Sequence, residues 1–417
     1  MSLHGGKRAT ALLVGIVLSA ALGVRTEETQ SPAAPPAVGE PQGPAKDEAQ
    51  KKRAQEIYGK LVKKYGEGLL YEVDDSLNLV FATNTDPRTL KELKERLTAH
   101  AQALRRDLFE HGLEPYLAVV VPKKWPGDVV SGHFYPGFVD ARTIGSSLMH
   151  EFTHALHFAD QQARGQMHPI WIVEGLASLY ENAKVVVGHA APQPNHKLIE
   201  VQGLVRDRKH IPLEKLVKFE RRQFTSHHYG QARYMFMYLY DTGRLKEWYD
   251  ACVADYARDS TGAGALEKVF GKKLPDIEKD WAEWVLKLTP PVPALFPGSA
   301  SLGIRTRQQA DGIQIESLLP GGGAEQAGLA AGDVLTCVDG ERVWEGEDLL
   351  AVISQHKVGD KVKVEYRCDG EYRQTTVALT PLAVQLQEKP PAPTPAPEPR
   401  EKGRPGGDLR DQRRSVP

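Results

Sequence analysis

The sequence of 417 residues predicts an α+β fold in which a small N-terminal sheet precedes a mainly helical part, and a second module follows. Short apolar segments typical of strands lie at residues 69–83 and 116–121. From residue 141 to about 288, apolar residues recur mostly at helical spacing. The proline-rich segment Thr289–Pro293 then predicts a semi-rigid linker between two modules.

Composition narrows the class of protein. Hydrophobic residues make up 41% and charged residues 26%, as in a soluble globular protein with two or three domains. The net charge of −1 provides no electrostatic argument for nucleic acid, so none is expected as a partner. Three cysteines are too few for a disulfide scaffold, and no two have metal-ligand spacing. A Cys337–Cys368 bridge stays open beside the alternative that Cys252 and both of these are buried small hydrophobic residues.

The N-terminus predicts export. Residues 1–25 are typical of a secretory signal peptide, with Lys7 and Arg8 before the apolar run Ala11–Val24. That run is too short for a stable membrane span, so we expect a periplasmic or extracellular protein. An uncleaved anchor at the inner membrane is the alternative. Residues 26–48, rich in proline, alanine, glycine and glutamate, predict a disordered linker.

Four elements are predicted before the central motif. They are a charged helix at Asp47–Tyr65, a strand pair within Leu69–Thr83, a helix at Leu90–His111 and a strand at Tyr116–Val121. Asp86 followed by Pro87 is typical of a helix N-cap with proline in the first turn. The charges of the second helix predict a solvated face, because its leucines form a single stripe.

The central motif has metal-ligand spacing. On a helix, His150 and His154 lie one turn apart on one face, and Glu151 lies beside them. Two imidazoles at this spacing can hold Zn²⁺, with the glutamate as general base. Glu174 follows on a second predicted helix and can return as a third ligand. Two histidines, one glutamate and an open fourth position describe a catalytic zinc site.

At His150-Glu151-Phe152-Thr153-His154 and at Trp171–Glu181, the chain resembles the gluzincin metallopeptidases, which include thermolysin and the aminopeptidase N-like enzymes. The resemblance covers about residues 66–288 and implies a zincin-like domain, assigned to 49–289. It implies that His150, His154 and Glu174 bind Zn²⁺ and that Glu151 is catalytic.

One position departs from the family pattern. Thermolysin-like enzymes have an aspartate four residues after the third ligand, where it supports a ligand histidine; this chain has Ser178. Support is therefore expected from Glu181 or Asp160.

The resemblance also implies roles around the cleft. A tyrosine or histidine stabilises the oxyanion in the family, and Tyr229 is the candidate here, with His228 as runner-up. The segment 131–138 is expected to be an edge strand beside the cleft, with His133 and Tyr135 as wall residues. Prolines within His189–His196 predict an exposed loop there instead of a second metal site.

A second resemblance covers the C-terminal module. The segments Ser301–Ile304, Ser317–Leu329 and Ala330–Gly340 resemble a bacterial PDZ domain of the kind appended to periplasmic proteases, up to about Leu382. The implied fold is a β-rich PDZ domain at 299–384, after a linker at 290–298 and before a disordered, proline-rich and basic tail at 385–417.

The resemblance implies a peptide site in this module. Backbone amides at Ser301, Leu302, Gly303 and Ile304 would accept the terminal carboxylate of a peptide, and the adjoining strand would pair with it. Glu345–Gln355 would form the groove helix. The alternative is a PDZ-like module that only packs on the catalytic domain.

Together these features predict a secreted zinc metallopeptidase that uses a metal-activated water with Glu151 as base. Its expected partners are peptide or protein substrates and protein C-termini at the PDZ groove. Two alternatives stay open: a non-catalytic peptidase-like scaffold whose PDZ domain recruits partners, and a zinc hydrolase of non-peptide substrates. The residues do not distinguish endopeptidase from exopeptidase.

Overall fold

The computed structural model describes residues 44–113, 117–123, 132–291 and 296–382. The predicted signal peptide, most of the linker at 26–48, part of the linker at 290–298 and the tail at 385–417 lie outside them. Contacts between Cα atoms divide the chain into two units, 1–47 and 48–417, and the features below belong to the second. Helix α1, Pro44–Tyr65, begins three residues before the predicted start.

A five-stranded mixed sheet forms the N-terminal layer, in the order β1-β2-β3-β5-β4. Its strands are β1 Leu70–Asp74, β2 Leu79–Thr83, β3 Leu117–Val121, β4 Gly132–Tyr135 and β5 Phe138–Ala141. The central strands β2 and β3 are parallel and buried along their whole length. Alternate residues face α1 on one side and the main core on the other, which explains their continuous apolar sequence.

Helix α2, Pro87–Asp107, covers the core face of this sheet. Asp86 Oδ1 accepts a hydrogen bond from the backbone N–H of Thr89 at 2.9 Å, and Pro87 lies in the first turn. The predicted N-cap is thus confirmed. The stripe of leucines is buried, as its spacing indicated.

The middle of the chain is mainly helical, as predicted. Its helices are α3 Ser146–Arg164, α4 Ile170–Tyr180, α5 Lys197–Arg206, α6 Leu213–Leu216, α7 Ser226–Asp241, α8 Leu245–Asp255, α9 Ala263–Phe270 and α10 Leu274–Val285. A hairpin of β6 Lys184–Val186 and β7 His189–Ala191 interrupts them. The prediction of a loop throughout His189–His196 was therefore wrong at its start, because β7 pairs with β6.

The C-terminal module is rich in strands. Its elements are β8 Ala300–Ser301, β9 Ile304–Gln309, β10 Gly312–Leu318, α11 Gly323–Gln326, β11 Val334–Val338, β12 Glu341–Arg342, α12 Gly346–Ile353, β13 Lys361–Cys368, β14 Glu371–Ala378 and β15 Thr380–Pro381. The sheet order is β14-β13-β11-β10-β9, so β9 is an edge strand. The module has a core of its own and also contributes Ala310 and Trp344 to the main core.

The three cysteines are free thiols. Cys337 lies opposite Glu365 in the β11–β13 pair, and Cys368 follows three residues further along β13. The Cys337–Cys368 bridge that the sequence left open therefore does not form. Only Cys252 is buried; the other two are partly exposed.

Within the described residues, no helix combines the length and the apolar character needed to cross a membrane.

Candidate metal centre

Helix α3 presents the central motif on a rigid support. Leu148, Phe152 and Leu156 recur every four residues and pack into the main core. The helix ends at Gly165, which adopts the left-handed conformation (φ 64°) that glycine accepts without a steric penalty. Pro169 then precedes α4, which packs against α3 and carries the third candidate ligand.

The three candidate ligands converge. Nε2 of His150 and Nε2 of His154 are 3.1 Å apart, and each lies 3.3 Å from Oε2 of Glu174. Among the described residues, these three side chains form a group able to hold a metal ion, and their donor atoms lie within 4.8 Å of one another. The structure therefore brings together the residues that the sequence singled out.

The spacing of the donor atoms suits zinc. In a tetrahedral site with bonds of about 2.0–2.1 Å, neighbouring ligand atoms are roughly 3.3–3.4 Å apart, close to the separations found here. Two histidine nitrogens and one carboxylate oxygen are also a donor set that zinc prefers. The residues present thus fit a zinc ion.

Glu181 supports the first of these histidines. Its Oε2 accepts a hydrogen bond from Nδ1 of His150 at 3.2 Å, which orients Nε2 of that ring toward the other two candidate ligands. Ser178 is buried and its hydroxyl has no hydrogen-bond partner among the described residues. Asp160, the other expected support, instead binds His111, Arg164 and Tyr249.

The electrostatics of the triad follow from these contacts. Burial lowers the pKa of His150, but hydrogen bonds to Glu174 and Glu181 outweigh burial and raise that pKa to about 9. Burial raises the pKa of Glu174, but hydrogen bonds to both histidines hold it well below its usual range. Glu174 is therefore an ionised carboxylate, the form in which it binds a metal.

A cleft of about 820 Å³ opens in front of the triad. Glu151 lines this cleft together with the three candidate ligands. Strand β4 runs past it at the edge of the sheet, and Phe134 of that strand lines the cleft with its ring centroid 6.4 Å from that of His154. An edge strand beside the cleft is thus present, as the resemblance implied.

Tyr229 reaches the cleft and His228 does not line it. The Tyr229 ring lies 6.4 Å from the His150 ring, and burial together with the Glu174 charge raises the pKa of its hydroxyl group. A protonated hydroxyl can donate a hydrogen bond. Nδ1 of His228 instead accepts from the backbone N–H of Thr225 at 2.8 Å, as part of a capping box for α7.

Sequence reasoning missed Arg221. This residue begins a short 3₁₀ turn, Arg221–Gln223, at the rim of the cleft. Its guanidinium group lies 3.5 Å from Oε1 of Glu174, yet the side chain is 76% exposed. No periodic pattern marks so short a turn, so only the folded chain reveals this cation beside the triad.

Other predicted residues have structural partners. Nδ1 of His133 hydrogen-bonds the buried Asp140 at 2.9 Å, and its ring stacks with Tyr135. His189 and His196 lie on the surface, where each pairs with a carboxylate, so neither belongs to the metal-binding group.

A second cavity, of about 830 Å³, lies between α1, the sheet and α3. Its lining consists mainly of lysine, leucine, alanine and phenylalanine side chains and does not include the candidate metal ligands.

The loop predicted to bind a carboxylate lies at the start of β9. Leu302 is buried in the core of the module and Ile304 packs against it. Gly303 has φ of +74°, and a Cβ there would lie 2.7 Å from Cα of Gly322, so the loop requires glycine. The backbone N–H of Gly303 donates to Oγ of Ser301 at 3.0 Å.

Residues 300–379 match the family model for the PDZ domain, and the C-terminal module is a PDZ domain. The serine protease Do-like HtrA of Lactobacillus helveticus is 39% identical over 61 residues, which are 15% of each chain. The protein of the same name from Lactococcus lactis subsp. lactis (strain IL1403) is 35% identical over 81 residues, 19% of this chain and 20% of the relative. The chain thus spans at most a fifth of the length of these relatives.

Two solved structures illustrate the structural likenesses. The HtrA3 PDZ domain bound to a phage-derived ligand (FGRWV) is 16% identical and covers 20% of this chain and 87% of that one, with a TM-score of 0.19. An aminopeptidase N family protein from Idiomarina loihiensis is 12% identical and covers 76% of this chain and 67% of that one, with a TM-score of 0.33. At these TM-scores, neither likeness bears on what this chain does.

Proposed function

We propose that this protein is a zinc-dependent peptidase whose PDZ domain binds the C-termini of substrates or partners. The observation that carries the proposal is the convergence of His150, His154 and Glu174 at the spacing of a tetrahedral zinc site, beside Glu151 in one cleft. A ligand triad alone would suffice for a structural metal. An additional carboxylate and a phenol facing the same space suit catalysis.

A zinc ion held by these three residues would supply Lewis acidity, which would polarise a carbonyl group and make bound water more acidic. His150 and His154 would contribute imidazole nitrogens, His150 after releasing a proton on metal binding, and Glu174 would contribute the charge that favours a divalent cation. The hydrogen bond from His150 to Glu181 fixes the orientation of that ring.

Glu151 acts as the general base. It removes a proton from the attacking water and passes it to the leaving amine when the peptide bond breaks. Because Glu151 follows His150 directly in α3, its carboxylate is held beside the ligands without being one of them.

Tyr229 donates a hydrogen bond to the oxyanion that develops on the peptide carbonyl oxygen. Its raised pKa keeps the hydroxyl group protonated, as a donor must be. Extended substrate pairs with the outer edge of β4, the last strand in the order of the sheet, which brings the peptide chain across the cleft. The apolar run near the N-terminus directs export, and the enzyme acts outside the cytoplasm.

The test is metal content and hydrolysis measured in parallel on purified residues 26–417. We expect about one zinc per chain and chelator-sensitive cleavage of a mixed peptide library. Glu151→Gln should retain zinc and lose hydrolysis by at least about a hundredfold, whereas Glu174→Ala should lose both. Glu220→Gln, on the rim of the same cleft, is the matched control.

An active Glu151→Gln variant would remove Glu151 as the base. Zinc binding without cleavage of any peptide would favour the alternative hypothesis of a non-catalytic scaffold. Cleavage only of non-peptide esters or amides would favour a zinc hydrolase of another class.

A further inference from the structure

The first turn of α12 in the PDZ domain lies against the helix that carries two candidate zinc ligands. Oγ of Ser146 donates a hydrogen bond to Oε2 of Glu345 at 2.9 Å, and the backbone N–H of Ser146 donates to Oε1 of the same carboxylate. Glu345 is also the N-cap of α12, where it forms a capping box with Asp348. One carboxylate of the PDZ domain therefore caps two helices.

Helix α3 has no side-chain cap of its own. Its N-cap position is Gly145, which makes no side-chain hydrogen bond and touches Glu345 so closely that a Cβ would overlap the carboxylate. The first N–H groups of a helix need acceptors, and a negative charge there is favourable. Because Ser146 lies one turn before His150, this cap holds the turn that presents the first ligand.

A second carboxylate of the PDZ domain is linked to the candidate metal centre through a series of hydrogen bonds. Glu347 accepts hydrogen bonds from the backbone N–H and from Nδ1 of His196, both at 2.9 Å. The chain neighbours of His196 are Asn195 and Lys197, and each donates to Oε1 of Glu181 at 2.7 Å. Oε2 of that carboxylate accepts from the first ligand histidine.

We infer that Glu345 and Glu347 are positioning residues of the candidate zinc centre, so that the docked PDZ domain holds the ligands in their binding geometry. The identity of the metal rests on the function proposed above. Helix α12 is also the helix predicted to line the peptide groove. A single short helix therefore connects the groove with the metal centre, and a groove ligand that shifts α12 acts on both contacts.

The first test is zinc affinity in the full chain, measured on metal-stripped protein by competition with a chromophoric chelator. Glu345→Ala and Glu347→Ala should each bind zinc more weakly, by up to about tenfold, which is the loss usual when a group in direct contact with a metal ligand is removed. Glu365→Ala is the matched control. In the wild type, Glu365 forms a 2.8 Å ion pair with Arg88 that joins the PDZ domain to α2. The substitution removes this ion pair and leaves the contacts of α3 and of residues 195–197 in place. The zinc affinity of this variant should change by less than about twofold.

A rescue variant separates positioning from folding. Glu345→Ala removes the three atoms that lie nearest to a Cβ placed on Gly145, and the φ of −89° at this position suits any residue. Glu345→Ala combined with Gly145→Asp supplies α3 with a carboxylate from its own N-cap. Zinc affinity should return to within about threefold of the wild type.

Hydrogen exchange of the metal-free protein tests the cap without zinc. Amides of residues 146–150 should exchange about fivefold faster in Glu345→Ala than in the wild type, with Glu365→Ala unchanged. Equal zinc affinity in Glu345→Ala and the wild type overturns the inference, and so does an equal loss in Glu365→Ala. If the wild type takes up no zinc, the proposed function fails, and the exchange rates alone decide whether the PDZ domain caps α3.

Discussion

The backbone of Gly132 lies against the side chain of Glu151: a Cβ added to the glycine would stand 2.9 Å from Cγ of the glutamate. Gly132 is the first residue of the edge strand β4, so the absence of a side chain there allows the strand to approach the candidate base. The same added atom would lie 3.2 Å from the backbone oxygen of Asp140 in the neighbouring strand. This second contact limits how far β4 can shift away from Glu151.

Gly132→Ala should therefore displace Glu151 and lower kcat by about tenfold to a hundredfold, because displacements of about 1 Å are costly in catalysis. Zinc content should stay at the wild-type level, since Glu151 is not a ligand in the proposed centre. Steady-state kinetics with one peptide and metal analysis of the same samples provide the check. Gly203→Ala in α5 is the control, because a Cβ there meets no atom within 4 Å. An unaltered kcat in Gly132→Ala would show that the contact does not position the base.

Tyr229→Phe should lower kcat by about a hundredfold and leave KM within about twofold, because the lost hydrogen bond is made mainly in the transition state. The ring itself packs against Phe224, with centroids 5.1 Å apart, and phenylalanine preserves that contact. His228→Asn is the comparison, since His228 caps α7 and does not line the cleft. A larger kcat loss in His228→Asn than in Tyr229→Phe would assign stabilisation of the oxyanion to His228 instead of Tyr229.

The sequence predicted the candidate ligand triad and the PDZ segment because both depend on local patterns. His150 and His154 are related by helical spacing, and Glu174 by a second motif on the next helix. Gly303 and Gly322 belong to the segments that resemble a PDZ domain. These features can be recognised before the chain is folded.

The contact between the two modules could not be predicted in this way. The sequence predicts only that Glu345 begins the groove helix, and nothing in its neighbourhood indicates a contact with a second helix 199 residues away in the sequence. Trp344 belongs to the PDZ module by position but packs into the core of the helical part. Arg221 reaches Glu174 from a turn without a periodic pattern. Each of these depends on long-range packing, which residue spacing does not encode.

Removal of the PDZ domain, residues 298–385, should consequently impair more than recruitment. The deletion removes Glu345 and Glu347 and uncovers the core where Trp344 packs. We expect weaker zinc binding and lower hydrolysis of short peptides as well as of proteins, measured side by side. Addition of Gly145→Asp to the deleted protein should partly restore zinc affinity, because it replaces the missing cap. Full activity on short peptides after deletion would mean that the module serves recruitment alone.

Val187 at the tip of the β6–β7 hairpin adopts φ of +50°, a conformation that is costly for a β-branched residue. Its side chain is 91% exposed, so no packing compensates for the cost. Val187→Asn should raise the free energy of unfolding by about 1 kcal/mol, because asparagine is favoured at this position of a two-residue turn. Urea unfolding provides the measurement. Val186→Asn, one residue earlier within β6, should be neutral or slightly destabilising, and equal stabilisation by both would exclude backbone strain as the cause.

Acid should destabilise the fold through buried neutral histidines. Burial lowers the pKa of His100 to about 3 and that of His168 to about 4, against about 6.5 in the unfolded chain. Below pH 6.5 the unfolded chain therefore binds protons that the folded chain excludes, and the free energy of unfolding falls as pH decreases toward 4. Between pH 7 and 5 each histidine should contribute about 2 kcal/mol to this loss. Urea unfolding at both pH values should show a smaller loss in His100→Asn than in the wild type. The exposed His227→Asn variant should retain the full loss, and an unchanged loss in His100→Asn would contradict the assignment.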